Sequence, residues 1–340
     1  MTERIFSFTF LMGIVCGTCF AQTYKETPEV KSRIDFYPSK TVLLYPNGQK
    51  SGKGIVENGV EITKGPKEDN ELRGAEQCSP KGARKNIGDE ARMDFYFPKN
   101  GNGQMVVMTP GGGYSHVSTF NEGVYGSKFL TDNGIAVCML KYRLPNKHKT
   151  VPLDDVQNAM RYCRYHAKDW NIRQIGIMGG SAGGYLAASA SVYWTDSITR
   201  PDFAVLLYPR MHFAKSEGEC ATQINLIGKA ADWKGTAEEW DKLLEELAPH
   251  NYVNAQTPQT FIALSCDDKQ VPATNALPYY TALIKNKVRT ELHVFSYGGH
   301  GWGHSSEDIV GKGKDKLKAC RKDFQRMLLR WMKERRDELK

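Results

Sequence analysis

Apolar runs of strand length recur at 105 to 109, 135 to 141, 174 to 178, 203 to 208, 260 to 265 and 291 to 297. Between them lie segments of helical periodicity near 121 to 132, 152 to 168, 182 to 194, 276 to 287 and 316 to 333. Strands that are apolar throughout have both faces buried, so the alternation predicts an α/β fold with a mostly parallel, doubly wound sheet. Upstream, from about 35 to 97, the chain is polar and Gly-rich, with short β-like runs at 41 to 45, 54 to 62 and 93 to 97 that suit an antiparallel edge. Residues 64 to 92 carry few large apolar side chains and read as exposed loop. An insertion follows strand 6, between Pro209 and Thr260, and contains a capping-box start at Thr236 and Glu239. Its place beyond a strand end suits the wall of a substrate pocket.

At the front, residues 5 to 20 are a short apolar run rich in Ser, Thr and Gly, followed by Ala21 and Gln22. That is the layout of a secretory signal peptide over 1–21, cleaved after Ala21, and it is too short for a membrane span. The expectation is an exported protein, periplasmic or extracellular, without stable membrane insertion, whose residues 35–340 form one domain. Six cysteines remain after that cleavage, and Cys138 and Cys266 lie in or beside strand runs, where they read as small core residues.

The 340 residues, 40% hydrophobic and 25% charged, supply material for a full core and exclude a disordered chain or a small disulfide scaffold. The net charge of +8 raises the question of nucleic acid. Most of the excess sits in residues 311 to 340, which hold 12 Lys/Arg against 5 Asp/Glu, while Leu317, Cys320, Phe324, Leu328 and Trp331 recur at helical spacing. A terminal helix with one buried stripe and a solvated basic face explains this, and no nucleic-acid partner is expected.

The chemistry concentrates at Ile175-Gly-Ile-Met-Gly-Gly-Ser-Ala-Gly-Gly184, where Gly179, Ser181 and Gly183 make a G-x-S-x-G motif. A strand runs into it and a small-residue helix runs out. This places Ser181 on a strained strand-to-helix turn, with a backbone too crowded for side chains two residues either side. A hydroxyl nucleophile needs a base, and the base an orienting carboxylate, from loops after later strands in the order Ser, Asp, His. The strand at 260 to 265 ends in Cys266-Asp267-Asp268, and that at 291 to 297 ends in Gly298-Gly-His300-Gly-Trp-Gly-His304. Asp268 and His300 are preferred; Asp267 is the alternative acid, and a His300/His304 metal pair the alternative use of the imidazoles. The oxyanion formed by attack needs amide donors. Ala182 at the helix start supplies one, and Gly112 and Gly113, in Pro110-Gly-Gly-Gly-Tyr114 directly after a strand, supply others. Tyr114 and Trp302 neighbour these loops and Tyr208 ends a strand at the same edge; they are candidates for an acyl pocket or a sugar platform, or else simply pack the pocket walls.

Taken together, Pro110-Gly-Gly-Gly-Tyr114, Leu140-Lys-Tyr-Arg-Leu-Pro145, Trp170-Asn-Ile172 leading to Gly179-Gly-Ser-Ala-Gly-Gly184, Asp268 with Val271-Pro272, and Gly299-His-Gly-Trp302 resemble the α/β-hydrolase superfamily. The resemblance is closest to its secreted carbohydrate-esterase branch of acetyl xylan and feruloyl esterases, and covers roughly residues 90 to 305. Related lipases and esterases usually carry His where this chain has Pro110. The resemblance implies a monomeric serine esterase that removes short acyl groups, acetyl first, from an acylated carbohydrate substrate through an acyl-enzyme, with no cofactor and no metal. The alternatives are a feruloyl esterase, a peptidase of the same fold, or a catalytically silent glycan-binding member.

Overall fold

The computed structural model describes residues 35–213, 215–302 and 315–338. The proposed signal peptide at 1–21, His304 and the Leu317 side chain lie outside the described residues. Eight strands form the central sheet: β1 (Lys40–Leu43), β2 (Arg92–Tyr96), β3 (Gln104–Thr109), β4 (Ala136–Lys141), β5 (Gln174–Gly180), β6 (Phe203–Leu207), β7 (Gln259–Ser265) and β8 (Thr290–Phe295). Their order is β1-β2-β4-β3-β5-β6-β7-β8. Only the β1/β2 and β2/β4 pairings are antiparallel, so β2 alone runs against the rest. Every residue of β3, β4 and β6 is buried, as their uninterrupted apolar runs predict.

The flanking helices are α1 (Tyr125–Asp132), α2 (Val151–His166), α3 (Ser181–Val192), α4 (Ala221–Ile227), α5 (Ala237–Glu246), α6 (Leu277–Lys285) and α7 (Asp315–Asp337). Helices α4 and α5 lie in the insertion after β6, and the Thr236/Glu239 capping box forms at the start of α5. In α7 the stripe of Phe324, Leu328 and Trp331 is buried, and the Trp331 ring meets Phe203 and Phe261 of the sheet. Part of its basic face is paired: Arg330 bonds Glu291 and Glu334, and Arg335 bonds Glu338. Among the described residues no helix is long and apolar enough to cross a membrane.

Three expectations change. The run at 54 to 62 does not join the sheet but forms a separate hairpin of Val56–Glu57 with Val60–Glu61, whose Val56 and Val60 face solvent while the flanking Ile55 and Ile62 are buried in the core. Residues 64 to 92 are not simply exposed loop. Gln77–Cys78 and Ala83–Lys85 pair with each other, Val117–Ser118 joins them in a small sheet, and Asn70 and Ile87 are buried. Cys266 is exposed, since the chain turns away from the sheet after Ser265; Cys138 is buried beside Cys163, and burial pushes its thiol pKa up.

Besides strand pairing and buried Leu44, Ile62 and Ile87, a buried polar set holds the N-terminal segment to the sheet. Arg143, just beyond β4, is fully buried; its Nε donates to Asp155 Oδ1 at 2.8 Å and its Nη1 to the Glu68 carbonyl at 2.7 Å and Gln49 Oε1 at 3.0 Å. Asp155 also accepts from the Tyr45 hydroxyl at 2.8 Å and the Arg143 amide at 2.7 Å. Removing one member of such a set leaves an uncompensated charge in the core. Asp155→Ala is therefore expected to lower the unfolding free energy by about 3–5 kcal/mol. A urea unfolding midpoint equal to wild type would contradict this.

Candidate active site

The site is built where three loops meet at the carboxyl ends of β5, β7 and β8. β3 and β5 pair in parallel with Thr109 opposite Gly179. The chain then turns so tightly into α3 that Ser181 takes φ 53°, in the left-handed region that a side chain rarely adopts. The flanking glycines are required by contact: a Cβ on Gly183 would lie 1.9 Å from the Thr109 carbonyl oxygen, and one on Gly179 2.1 Å from the Gly183 carbonyl oxygen. The Thr109 hydroxyl closes the arrangement by donating to the Gly183 carbonyl at 2.9 Å.

Asp268 follows β7 and His300 follows β8. His300 Nδ1 donates to Asp268 Oδ2 at 2.7 Å, and the Ser181 hydroxyl donates to His300 Nε2 at 2.8 Å. A carboxylate only accepts, which fixes the imidazole tautomer and turns the lone pair of Nε2 toward Ser181. The second oxygen of Asp268 accepts from the amides of Gln270 and Val271 at 2.8 and 2.9 Å. Asp267 does not touch the imidazole. It accepts from the Gly299 amide at 2.7 Å, while Asn121 Nδ2 donates to the Gly301 carbonyl at 2.9 Å, so the histidine loop is pinned on both sides. With both ring nitrogens of His300 engaged by Asp268 and Ser181, the imidazole sits in a hydrogen-bonded run from acid to hydroxyl.

Opposite this run lies the loop after β3. Its start is anchored by Tyr142, whose hydroxyl donates to the Pro110 carbonyl at 2.6 Å. The Gly111 amide donates to Glu122 Oε2 at 2.5 Å and is thereby engaged, while Gly112 and Gly113 line the open cavity. The cavity is about 350 Å³ and is lined by Gly112, Gly113, Ser181, Arg210, Gln270 and His300 among others. The amide of Ala182 belongs to the first turn of α3, where amides lack intrahelical acceptors. Ser181 is 9% exposed, so the hydroxyl is shielded yet reachable.

The three aromatic candidates do not line this cavity. Tyr114, Tyr208 and Trp302 are 2%, 1% and 4% exposed. Tyr208 packs edge-on against the His300 imidazole with centroids 5.1 Å apart, and Trp302 supports Tyr208 at 5.5 Å. Tyr114 packs against Tyr142 and Tyr185 and borders a separate hollow beside Leu153 and Tyr252. They brace the wall behind the triad, because large rings at strand ends gain more from burial than from facing water.

Two residues at the cavity carry no motif and were not singled out in the sequence. Arg210, buried behind Ser181, donates to Glu217 at 2.5 Å and to the Gln270 carbonyl at 2.8 Å, tying the insertion to the Asp268 loop. Glu122 is half-buried at the cavity wall, between Gly111 and the elbow. A Cβ placed on Gly180 would meet its Oε2 at 2.8 Å. Burial, the largest influence, raises its pKa above the usual 4.5, while the Gly111 amide, His300 and the Tyr208 hydroxyl pull it back. Its only sequence signal is a lone acid in an apolar helix-forming segment.

A mostly parallel eight-stranded sheet, with a serine at a strand-to-helix elbow and its acid and histidine on later loops, defines an α/β-hydrolase. The family model BD-FAE matches residues 93–283, more than half of the chain, and the chain belongs to that family. It is 35% identical over 224 residues to an acetylxylan esterase of Xylanibacter ruminicola, covering 64% of this chain and 45% of that protein. It is 27% identical over 213 residues to endo-1,4-beta-xylanase B of Butyrivibrio fibrisolvens, covering 58% and 32%. The chain thus spans less than half the length of the curated relatives it matches. Among solved structures, an acetyl ester-xyloside bifunctional hydrolase from Caldicellulosiruptor lactoaceticus superposes with a TM-score of 0.56 at 29% identity, covering 78% of this chain and 96% of that one.

The raised pKa of Glu122 has a testable sign. The folded state holds this proton more tightly than the unfolded chain, so the contribution is full below the ordinary carboxyl pKa near 4.5 and is lost as pH rises through the higher folded value. Glu122→Gln keeps an acceptor for Gly111 without the titration. Its thermal midpoint is expected to gain on wild type as pH rises from 4.5 toward neutrality; parallel curves for the two proteins would count against it.

Proposed function

We propose that this chain is an exported serine esterase that removes acetyl or similarly short acyl groups from polysaccharide or oligosaccharide. The observation that supports it is the unbroken hydrogen-bonded run Asp268–His300–Ser181 beside Gly112 and Gly113, which line the same cavity. Ser181 Oγ attacks the ester carbonyl as His300 Nε2 takes its proton. The amides of Ala182, Gly112 and Gly113 hold the oxyanion, each such donor being worth about 10²–10³ in rate. His300 then returns the proton to the departing sugar hydroxyl and next activates the water that releases the acid. Asp268 holds the tautomer and stabilises the imidazolium.

The acetyl preference is supported by the relatives, one named an acetylxylan esterase and one an acetyl ester-xyloside hydrolase. The modest cavity agrees with it, since Arg210, Gln270 and Val271 close in on Ser181. Export rests on the layout of residues 1–21, and a bacterially produced full-length chain should be recovered from the cell envelope or medium beginning at Gln22.

Turnover of p-nitrophenyl acetate should fall at least about 10⁴-fold in Ser181→Ala and by a similar factor in Asp268→Asn, with Asp267→Asn milder. Across acetate, butyrate and octanoate esters kcat/KM should decrease, and methyl ferulate should be a poor substrate. Turnover within about tenfold of wild type in Ser181→Ala would exclude Ser181 as nucleophile. Faster turnover of methyl ferulate than of acetate would replace the acetyl reading with a feruloyl one.

A further inference from the structure

Beside the triad cavity the insertion forms a second hollow of about 450 Å³, bordered by Phe213, Gln223, Trp233, Trp240 and Leu244. Trp233 is 38% exposed, while its partner Trp240 is buried, with ring centroids 5.4 Å apart. The indole of Trp233 is held in place by its Nε1, which donates to the Thr236 carbonyl at 3.2 Å, next to the capping box of α5. An aromatic plane thus stands open to the hollow on a fixed mount. Gln223 is the second observation. It is only 3% exposed, it borders the hollow, and its amide has no hydrogen-bond partner among the described residues. Its amide atoms are not among the fully buried unpaired ones, so a donor and an acceptor stay accessible to a ligand.

We propose that this hollow binds one neutral, unesterified sugar unit of the same glycan whose neighbouring unit presents its ester to Ser181; the inference rests on the carbohydrate-esterase reading. A pyranose has an apolar C–H face and a rim of hydroxyls. The Trp233 plane receives the face, and the Gln223 amide exchanges hydrogen bonds with adjacent hydroxyls. Charge argues against an anionic ligand, because Lys215 at the rim is already paired with Asp241 at 2.6 Å and the wall also carries Glu219, whose Oε1 accepts from the Ala230 amide at 2.5 Å. Position supports continuity with the triad. Thr222 borders the catalytic cavity and Gln223 the hollow, consecutive residues on α4, whose turn rises only about 5.4 Å. Asn225 on the same helix donates to the Gly113 carbonyl at 2.9 Å, so the helix that carries the sugar contact also holds the oxyanion loop.

The test uses the full chain carrying Ser181→Ala, titrated calorimetrically with xylotetraose, mannotetraose and cellotetraose, and with tetragalacturonate as the charged control. At least one neutral tetramer should bind, and tetragalacturonate should not. Trp233→Ala and Gln223→Leu should each weaken that binding about tenfold, equivalent to about 1.4 kcal/mol, while Trp233→Phe, which keeps an aromatic face, recovers most of it. Tyr165→Ala, on an exposed side chain of α2, should leave the dissociation constant unchanged. Thermal midpoints recorded alongside separate misfolding from lost contact. Absence of binding by all three neutral tetramers, or affinities indifferent to Trp233 and Gln223 in folded variants, would overturn the proposal. Esterase turnover of the wild type is measured separately, so inactivity on p-nitrophenyl acetate would sink the catalytic reading without deciding the binding one.

Discussion

The parallel pairing of β3 with β5 is the constraint from which the site follows. Thr109 lies opposite Gly179, and the strands end within one residue of each other, so the turn after β5 and the loop after β3 emerge side by side. The first delivers Ser181 and the second the Gly112 and Gly113 amides. A shift of one residue would reverse which side chains face each helix layer and would part the hydroxyl from the amides. The register is fixed by atomic contact: Gly183 passes so near the Thr109 carbonyl that no Cβ fits, and the Thr109 hydroxyl returns a hydrogen bond to it. The left-handed backbone of Ser181 is unfavourable locally and persists because this packing on both strands determines it.

Around that junction, buried polar groups work as fasteners. The segment Leu140-Lys-Tyr-Arg-Leu-Pro145 illustrates it, since each polar member reaches a different part of the chain. Lys141 pairs with Glu76, Tyr142 bonds Pro110 at the base of the glycine loop, and Arg143 gathers Asp155, Gln49 and Glu68. Burial draws the Lys141 pKa down to about 8, a measure of how little water reaches it. Apolar packing alone leaves the position of a glycine-rich loop loosely specified, whereas hydrogen bonds to Tyr142 and Glu122 define where its carbonyl and amide point.

The parts of the fold legible in the sequence are those with a period or a steric demand behind them. Fully apolar strands, the capping box at Thr236 and the stripe on α7 each have a local cause, and the structure places them where that cause predicts. The order of Ser181, Asp268 and His300 was legible because strand ends at one edge must converge. Side-chain direction was not. Tyr114 and Trp302 lie beside site residues in sequence and Tyr208 ends a strand at the same edge, yet all three rings are buried, and Tyr114 and Tyr208 have positive φ, at 58° and 35°. Glu122 and Arg210 escaped notice because burial of a charge depends on tertiary partners. The hairpin near 54 to 62 misled because β-like composition does not state which sheet a strand joins.

The insertion after β6 makes a last connection. Just beyond β6 it carries Arg210, which reaches the Asp268 loop, and its helix α4 carries Asn225, which reaches the glycine loop. The same excursion therefore touches both sides of Ser181, the acid side and the amide side, and then extends outward to the Trp233 hollow. Variation in such an excursion alters the rim of the cavity while the strand register beneath, and with it the separation of Ser181 from His300, stays as the sheet sets it. That division leaves the strand spacing to the sheet and part of the cavity wall to the insertion. It follows from where the chain leaves β6, one strand from the elbow, rather than from any feature of the acyl group.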